Sequence, residues 1–136
     1  MKQLKIDVKY AKIKSKEATG TINFGGINID FISGKWGKGY APKGLYYGKY
    51  FRDDKNPSFS LFGVGFFIYL EPMFKTDRKD LGIHFDGGDG SDGKKGYEGT
   101  LGCIGLKAKT KEDAIAIKNI FKKYFNENEI LQVEIK

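Results

Sequence analysis

The stretch TINFGGINIDF, residues 21–31, places two adjacent glycines between two runs of alternating apolar and polar residues. A two-residue loop of Gly25 and Gly26 supplies the positive φ angles that a type I′ hairpin turn requires. Counted outward from this turn, the apolar residues of the two runs lie opposite each other and share one face. The opposed pairs are Phe24 with Ile27 and Ile22 with Ile29. The stretch therefore predicts a β-hairpin with one buried side.

Further strands are predicted before and after this hairpin, because aromatic and β-branched residues dominate several short segments. Gly63 and Gly65 mark a bulge or a close backbone approach within one of them. Residues 33–48 contain too much glycine for a helix and predict a loop that leads into the next strand. The additional predicted strands cover residues 4–10, 45–51, 58–70, 81–85 and 130–136.

One helix is predicted near the end of the chain. Thr110 is followed three residues later by Asp113, the spacing of a capping box. Apolar residues then recur at helical spacing, at Ala114, Ile117, Phe121 and Tyr124. Several strands, one late helix and a final strand predict a β-rich α+β fold, either a sandwich or a barrel. No linker or repeat divides the 136 residues, so residues 1–136 are expected to form a single domain.

The charge of the chain favours anionic partners without selecting one. The formal net charge is +7, and the lysines are spread along the whole sequence. Nucleic acid, an acidic membrane face and the anionic polymers of a bacterial envelope would all be attracted, although an ordinary solvated surface has the same composition. Residues 1–17 contain no continuous apolar run, so neither a secretory signal nor a membrane anchor is expected there.

The chain contains one cysteine, Cys103, and one histidine, His84. A single cysteine forms no internal disulfide, so the thiol is either an inert small hydrophobe or a reactive group. A cysteine nucleophile needs a nearby base and amide donors for the oxyanion formed during attack on a carbonyl. Gly102 allows a sharp turn that directs the amides of Gly102 and Cys103 toward such an oxyanion. The sequence thus predicts a pair of Cys103 and His84 if the fold brings them together.

The stretch GIHFDGGDGSDGKKGYEGTLGCIGL, residues 82–106, resembles the active-site signature of YkuD-like L,D-transpeptidases. In that family a histidine is followed, after a variable loop, by Ser/Thr-His-Gly-Cys and an apolar residue. The matching positions are His84, Thr100, Gly102, Cys103 and Ile104. The stretch APKGLYY, residues 41–47, is similar to the family's Thr-Pro-x-Gly-x-aromatic strand entrance, with Ala41 in place of threonine.

Two positions depart from the family pattern. With these changes the chain resembles a divergent branch of the family, such as its phage-borne and secreted antibacterial members. Leu101 stands in place of the second histidine, and Gly105 in place of a common arginine or asparagine. The resemblance extends from about residue 30 to the end of the chain, and it implies an L,D-transpeptidase-like sandwich or barrel.

The resemblance implies cysteine-dependent acyl transfer on peptidoglycan stem peptides. Cys103 would attack the carbonyl of the third stem residue, the amides of Gly102 and Cys103 would bind the oxyanion, and His84 would protonate the departing D-alanine. Asp86 is the nearest carboxylate that could orient His84, and the Thr100 hydroxyl could bond within the site or stabilise its turn. An amine, water or a free D-amino acid would release the acyl group. No metal or organic cofactor is expected.

The same resemblance suggests where the protein acts and what accompanies it. Peptidoglycan lies in the bacterial cell envelope, so delivery by a phage or a secretion machine, without a signal peptide, is expected, together with a possible immunity partner. A cytoplasmic relative is the alternative. Neither host nor oligomeric state follows from the residues.

Three other functions fit parts of the sequence. A non-catalytic peptidoglycan-binding relative is one, because Leu101 replaces a family histidine. Lysines alternate with aromatic residues between 35 and 51, as in a nucleic-acid-binding groove, although such aromatic residues more often belong to a core, and no nucleic acid is expected. These residues are Trp36, Tyr40, Tyr46, Tyr47 and Tyr50. Residues 87–92, GGDGSD, match the start of a calcium-binding repeat, but the motif occurs once and Lys94 occupies an apolar position.

Overall fold

The computed structural model describes residues 5–24, 26–87, 99–127 and 130–136. In these residues the chain forms a strand-rich fold with one α-helix. The elements in chain order are β1 (Lys5–Lys14), β2 (Glu17–Phe24), β3 (Ile27–Gly34), β4 (Gly44–Asp53), a 3-10 turn (Pro57–Phe59), β5 (Ser60–Leu61), β6 (Val64–Pro72), β7 (Gly82–Phe85), β8 (Ile104–Leu106), α1 (Lys111–Glu127) and β9 (Leu131–Ile135).

The strands close into an eight-stranded barrel. Their order is β4, β9, β1, β2, β3, β8, β7 and β6, and an antiparallel pairing of β4 with β6 completes the ring. β5 lies outside this ring and pairs with β6. β1 runs parallel to β9 and β7 parallel to β8, whereas the other neighbours in the ring are antiparallel. The prediction of a β-rich α+β fold is confirmed, in the form of a barrel.

The hairpin of β2 and β3 has the predicted register. Phe24 pairs with Ile27 and Ile22 with Ile29, and three of these four side chains are buried. Along the other strands the inward positions are also apolar, which removes their area from water and drives closure of the barrel. Fully buried examples from other strands are Ile6, Val8, Tyr46, Ile68 and Val133.

The helix α1 covers one end of the barrel. The Phe121 ring lies 4.9 Å from the ring of Phe24 on β2 and 5.4 Å from the ring of Phe66 on β6, measured between centroids. β2 and β6 stand on opposite sides of the ring, so one helical side chain joins opposite walls. The predicted cap is present, because the Thr110 hydroxyl accepts a hydrogen bond of 3.1 Å from the Asp113 amide.

Among the described residues, no helix combines the length and apolar character that crossing a bilayer would require.

The prediction of one continuous strand over residues 58–70 is wrong. Residues 58 and 59 belong to the 3-10 turn, and the rest of the stretch forms two strands, β5 and β6. The chain reverses between them at Phe62 and Gly63, which both have positive φ angles. Gly63 fits a turn, but phenylalanine is an unusual residue for the left-handed position before it, so Phe62 and Gly63 do not form a typical hairpin-turn sequence. Gly65 makes the expected close approach, because a side chain would collide with the Asp54 carbonyl oxygen.

Two other boundaries differ from the prediction. β3 extends to Gly34 and β4 begins at Gly44, so the connecting loop is shorter than residues 33–48. β8 was not predicted at all, because its three residues include Gly105 and are too few to show alternation.

Phe121→Ala is expected to lower the free energy of unfolding by about 3–5 kcal/mol, because it removes a ring that fills the space between opposite walls. Urea unfolding followed by circular dichroism measures this difference. Ile115→Ala is the matched control on the exposed side of α1, with 41% of its area accessible, and should cost less than about 1 kcal/mol. Equal losses in the two variants would contradict the placement of Phe121 between the walls.

Candidate active site

Alternate side chains of β7 and β8 point into the barrel, and the residues between them point to its outer surface. Ile83 pairs with Ile104 and Phe85 with Leu106, and all four side chains are buried in the core. Successive side chains of a strand point to opposite faces, so His84, which lies between Ile83 and Phe85, points out of the barrel.

Cys103 reaches the same outer surface from the adjacent strand. His84 pairs with Gly105, and Cys103 stands two residues before Gly105, directly ahead of β8. The period of two therefore places Cys103 and His84 on one face. Both residues line a single cavity of about 750 Å³. The fold thus places the chain's one cysteine and one histidine in the wall of one cavity.

Six of the fourteen residues around this cavity have apolar or aromatic side chains. They come from β4, the 3-10 turn, β6 and the segments that precede β7 and β8. The apolar group consists of Tyr50, Phe59, Phe67, Tyr69, Leu81 and Leu101. Charged groups also line the cavity, namely Arg52, Lys79 and Asp80. A cavity of this composition suits a partly apolar ligand that carries charged or polar ends.

His84 is held in one tautomer among aromatic rings. Its ring stacks on Phe67 at 15° and lies 4.5 Å from the Phe59 ring, between centroids. Nδ1 lies 2.6 Å from the Phe85 carbonyl oxygen, so Nδ1–H donates to that oxygen and Nε2 keeps a free lone pair. Burial lowers the pKa of His84 to about 4, against smaller opposing effects of this hydrogen bond and of the Asp86 charge. The imidazole is therefore neutral at pH 7.

Cys103 is also neutral at pH 7. Burial raises the pKa of its thiol to about 11, although a backbone hydrogen bond from Gly82 and the charge of Arg78 act in the opposite direction. Sγ donates a weak hydrogen bond of 3.6 Å to the Asp80 carbonyl oxygen. Within the described part of the chain, no hydrogen bond joins Cys103 to His84. The cavity therefore contains a neutral thiol and a neutral imidazole.

Thr100 organises the turn that carries Cys103. Its hydroxyl donates a bond of 2.6 Å to the Cys103 carbonyl and accepts bonds from the amides of Gly34, at 2.9 Å, and Gly102, at 3.1 Å. The Gly102 amide is therefore occupied by Thr100 rather than directed into the cavity. Gly102 has a φ of +139°, which glycine adopts far more readily than other residues, as expected for a sharp turn.

Asp86 lies near His84 but has other partners. Its carboxylate is buried and accepts hydrogen bonds from the Gly99 amide, at 3.1 Å, and from Lys107 Nζ, at 2.9 Å. The contact that orients His84 comes from the Phe85 carbonyl. Asp86 acts on His84 through its charge, which favours the imidazolium form.

The two departures from the family pattern occupy distinct places. Leu101, which stands where the resemblance would place a second histidine, is 60% exposed and lines the cavity. Gly105 lies under Asp86 and Thr100, and a Cβ there would stand 3.0 Å from carbon atoms of both. A larger side chain has no room at position 105.

Arg78 was missed by sequence reasoning. Its guanidinium donates to the carbonyls of Gly39, Tyr40 and Leu101, at 2.8, 3.1 and 3.3 Å, and a side chain at Gly102 would collide with it. The sequence feature that could have pointed to Arg78 is that the chain has only two arginines among many lysines. A planar guanidinium can bind several carbonyls at once, which an ammonium does less well. The second arginine, Arg52, lies 4.6 Å above the Phe67 ring.

The other sequence motifs have separate outcomes. The aromatic residues between 35 and 51 do not form one exposed surface, because Tyr46 is fully buried, Tyr40 packs against Tyr10, and Tyr50 is 73% exposed. The calcium-type motif lies outside the described residues except for Gly87. In the portions of the chain that the structure describes, no three His, Cys, Asp or Glu side chains are grouped as metal ligands.

Lowering the pH from 7 to 4 is expected to destabilise the protein through His84. The pKa of His84 is about 4 in the folded chain, against an ordinary value of 6.5, so the unfolded chain binds a proton first. This contribution to stability is complete above pH 6.5 and is lost as the pH falls to 4, by about 3 kcal/mol. Urea unfolding of wild type and His84→Phe between pH 4 and 7 isolates the contribution of His84 to the free energy of unfolding. The same pH dependence in both proteins would contradict a neutral, buried imidazole.

Cys103 is expected to react slowly with iodoacetamide at pH 7.5. Its raised pKa of about 11 leaves roughly a hundredfold less thiolate than an ordinary cysteine has. Mass spectrometry of timed samples gives the rate for the folded protein, and the same chain in urea is the reference. Equal rates would show that Cys103 is not shielded as described.

Comparisons of the chain with family models, with curated proteins and with solved structures found no match. The function of the cavity is therefore inferred from its own residues.

Proposed function

We propose that the protein transfers acyl groups through Cys103, with His84 as general base, and that the stem peptides of peptidoglycan are its acyl donors. The observation that carries the proposal is the meeting of Cys103 and His84 in one cavity on the outer face of β7 and β8. Neither residue is needed there for barrel packing, because the neighbouring positions Ile83 and Ile104 fill the core.

The protonation states support a general-base route. The neutral imidazole has its Nδ1 proton bound to the Phe85 carbonyl, which leaves Nε2 to accept the thiol proton. In the proposed reaction the Cys103 thiol leaves the Asp80 carbonyl, turns toward Nε2 and loses its proton as Sγ bonds to the substrate carbonyl carbon. The low pKa of His84 makes its imidazolium form a ready proton donor to the departing amine.

The reaction then proceeds through a thioester. Collapse of the tetrahedral intermediate breaks the peptide bond and releases D-alanine, whose nitrogen takes the proton from His84. A second nucleophile attacks the thioester carbonyl, and Cys103 recovers its proton. An amine from another stem gives a cross-link, water gives a shortened stem, and a free D-amino acid gives an exchanged stem.

The oxyanion site differs from the sequence prediction in one respect. The Gly102 amide donates to the Thr100 hydroxyl. Of the two predicted donors, the Cys103 amide is therefore the one that would bind the oxyanion. Arg78 assists as a positioning residue, because it binds the Leu101 carbonyl and its charge favours the thiolate of Cys103.

The substrate assignment draws on the signature of residues 82–106 and on the charges around the cavity. Lys79 and Arg52 provide positive groups beside the apolar wall, and stem peptides carry carboxylates. In this proposal the protein acts in the bacterial cell envelope. Delivery machinery and an immunity protein remain part of the same hypothesis.

A non-catalytic peptidoglycan-binding protein is the second candidate. Two observations favour it, namely the raised pKa of Cys103 and the engagement of the Gly102 amide by Thr100. Such a protein would use the same cavity to bind a stem peptide without forming a thioester.

Purified protein incubated with disaccharide-tetrapeptide is expected to release D-alanine, and to form an exchanged product when another D-amino acid is added. Mass spectrometry detects both products. Cys103→Ala should abolish them, because the thioester cannot form, and His84→Asn should slow them by roughly a hundredfold or more.

The folded state of each variant is checked by circular dichroism, and binding of the tetrapeptide to Cys103→Ala by calorimetry. Product formation by folded Cys103→Ala at the wild-type rate would refute the mechanism. Binding without any wild-type product would support the second candidate instead.

A further inference from the structure

A strained tyrosine stands at the mouth of the cavity. Tyr50 has a φ of +60°, a left-handed backbone conformation that bulky residues rarely adopt. It lies at an irregularity of β4, where Lys49 pairs with Tyr69 and Arg52 with Phe67. Tyr50 and its neighbour Phe51 thus oppose the single residue between Phe67 and Tyr69, which is a β-bulge.

The bulge changes the direction of the Tyr50 side chain. Tyr46 and Gly48 are buried positions of β4, so an unbroken alternation would turn position 50 inward as well. The extra residue instead lets Phe51 occupy the inward position, where its ring stacks on Phe66 at 5.5 Å. Tyr50 is turned outward and lines the cavity.

Packing within the chain does not offset this strain. Tyr50 is 73% exposed, so most of its ring contacts no other part of the described structure. Glycine is the residue that this backbone position favours, and a glycine would leave the bulge intact. Strain of this kind at a cavity is an indication of function.

We propose that Tyr50 is a specificity-determining residue, whose ring contacts an apolar part of the acyl donor as that donor enters the cavity. The inference rests on the cavity being the site of the proposed function. Leu101, which is 60% exposed and lines the same cavity, provides a second apolar surface for that part of the donor. The ligand class is an acyl compound with an aliphatic or aromatic group near its reactive carbon.

Phe62 provides a matched control for the strain. It also has a positive φ, of +55°, and is 50% exposed, but it lies in the turn between β5 and β6 and does not line the cavity. Tyr50→Gly and Phe62→Gly therefore relieve the same kind of strain, and only the first removes a ring from the cavity. Both variants are expected to unfold at a higher urea concentration than wild type.

The test compares two reagents that label Cys103, the chain's one thiol. Benzyl methanethiosulfonate carries an aromatic ring, whereas methyl methanethiosulfonate is small, and the ratio of their rates cancels any change in thiolate fraction. Tyr50→Gly is expected to lower the benzyl-to-methyl ratio about fivefold, while Phe62→Gly and Tyr50→Phe keep the wild-type ratio. An unchanged ratio in Tyr50→Gly, or an earlier unfolding transition in that variant, would overturn the inference.

The same variants are assayed with disaccharide-tetrapeptide. If wild type releases no D-alanine but the labelling ratio falls in Tyr50→Gly, acyl transfer on stem peptides is wrong and the contact role of Tyr50 stands. If wild type is active and both its rate and the labelling ratio are the same in Tyr50→Gly, the contact role is wrong and acyl transfer stands.

Discussion

Pairing of β4 with β6 is the constraint on which the rest of the structure depends, because it closes the sheet and gives every barrel strand an inside and an outside. A closed interior of this size is filled by side chains, so polar and reactive groups must lie on the outer surface or at the ends. His84 and Cys103 follow this rule on neighbouring strands. The cavity consequently lies on the outside of the barrel, between its strands and the segments that precede β7 and β8.

The chemistry of this wall is one of suppressed charge. Burial favours the neutral form of both His84 and Cys103, so neither an imidazolium nor a thiolate is present at pH 7 before substrate binds. Such a site differs from cysteine enzymes with a preformed ion pair, because charge would develop only as substrate and thiol react. The charge of Arg78 favours the thiolate of Cys103, whereas that of Asp80 opposes it. The charges of Asp86 and Asp54 favour the imidazolium form of His84.

Local patterns predicted those parts of the fold that local interactions determine. The hairpin of β2 and β3 and the helix capped by Thr110 have strong short-range signals. The register of the hairpin and the cap of the helix are present as predicted, whereas Gly25 of the predicted turn lies outside the described residues. The three-residue β8 and the three carbonyl contacts of Arg78 depend on partners distant in sequence, so no local pattern revealed them. The reversal at Phe62 is local, but a phenylalanine is not a typical residue for its left-handed position. Likewise, the chemistry of the residues and the resemblance predicted a pair of Cys103 and His84, but only the register of β7 and β8 shows that they share a face.

The parallel pairing of β1 with β9 has a consequence for how the molecule assembles. Residues 5–8 bond to residues 132–135, so the seam between them joins the two most distant parts of the described chain. β9 also pairs with β4, the strand that carries Tyr50 and Arg52. Contacts of such long sequence separation slow folding, because a large loop must close before they form. Because β9 stands between β4 and β1 in the ring, the barrel cannot close before β9 has been synthesised.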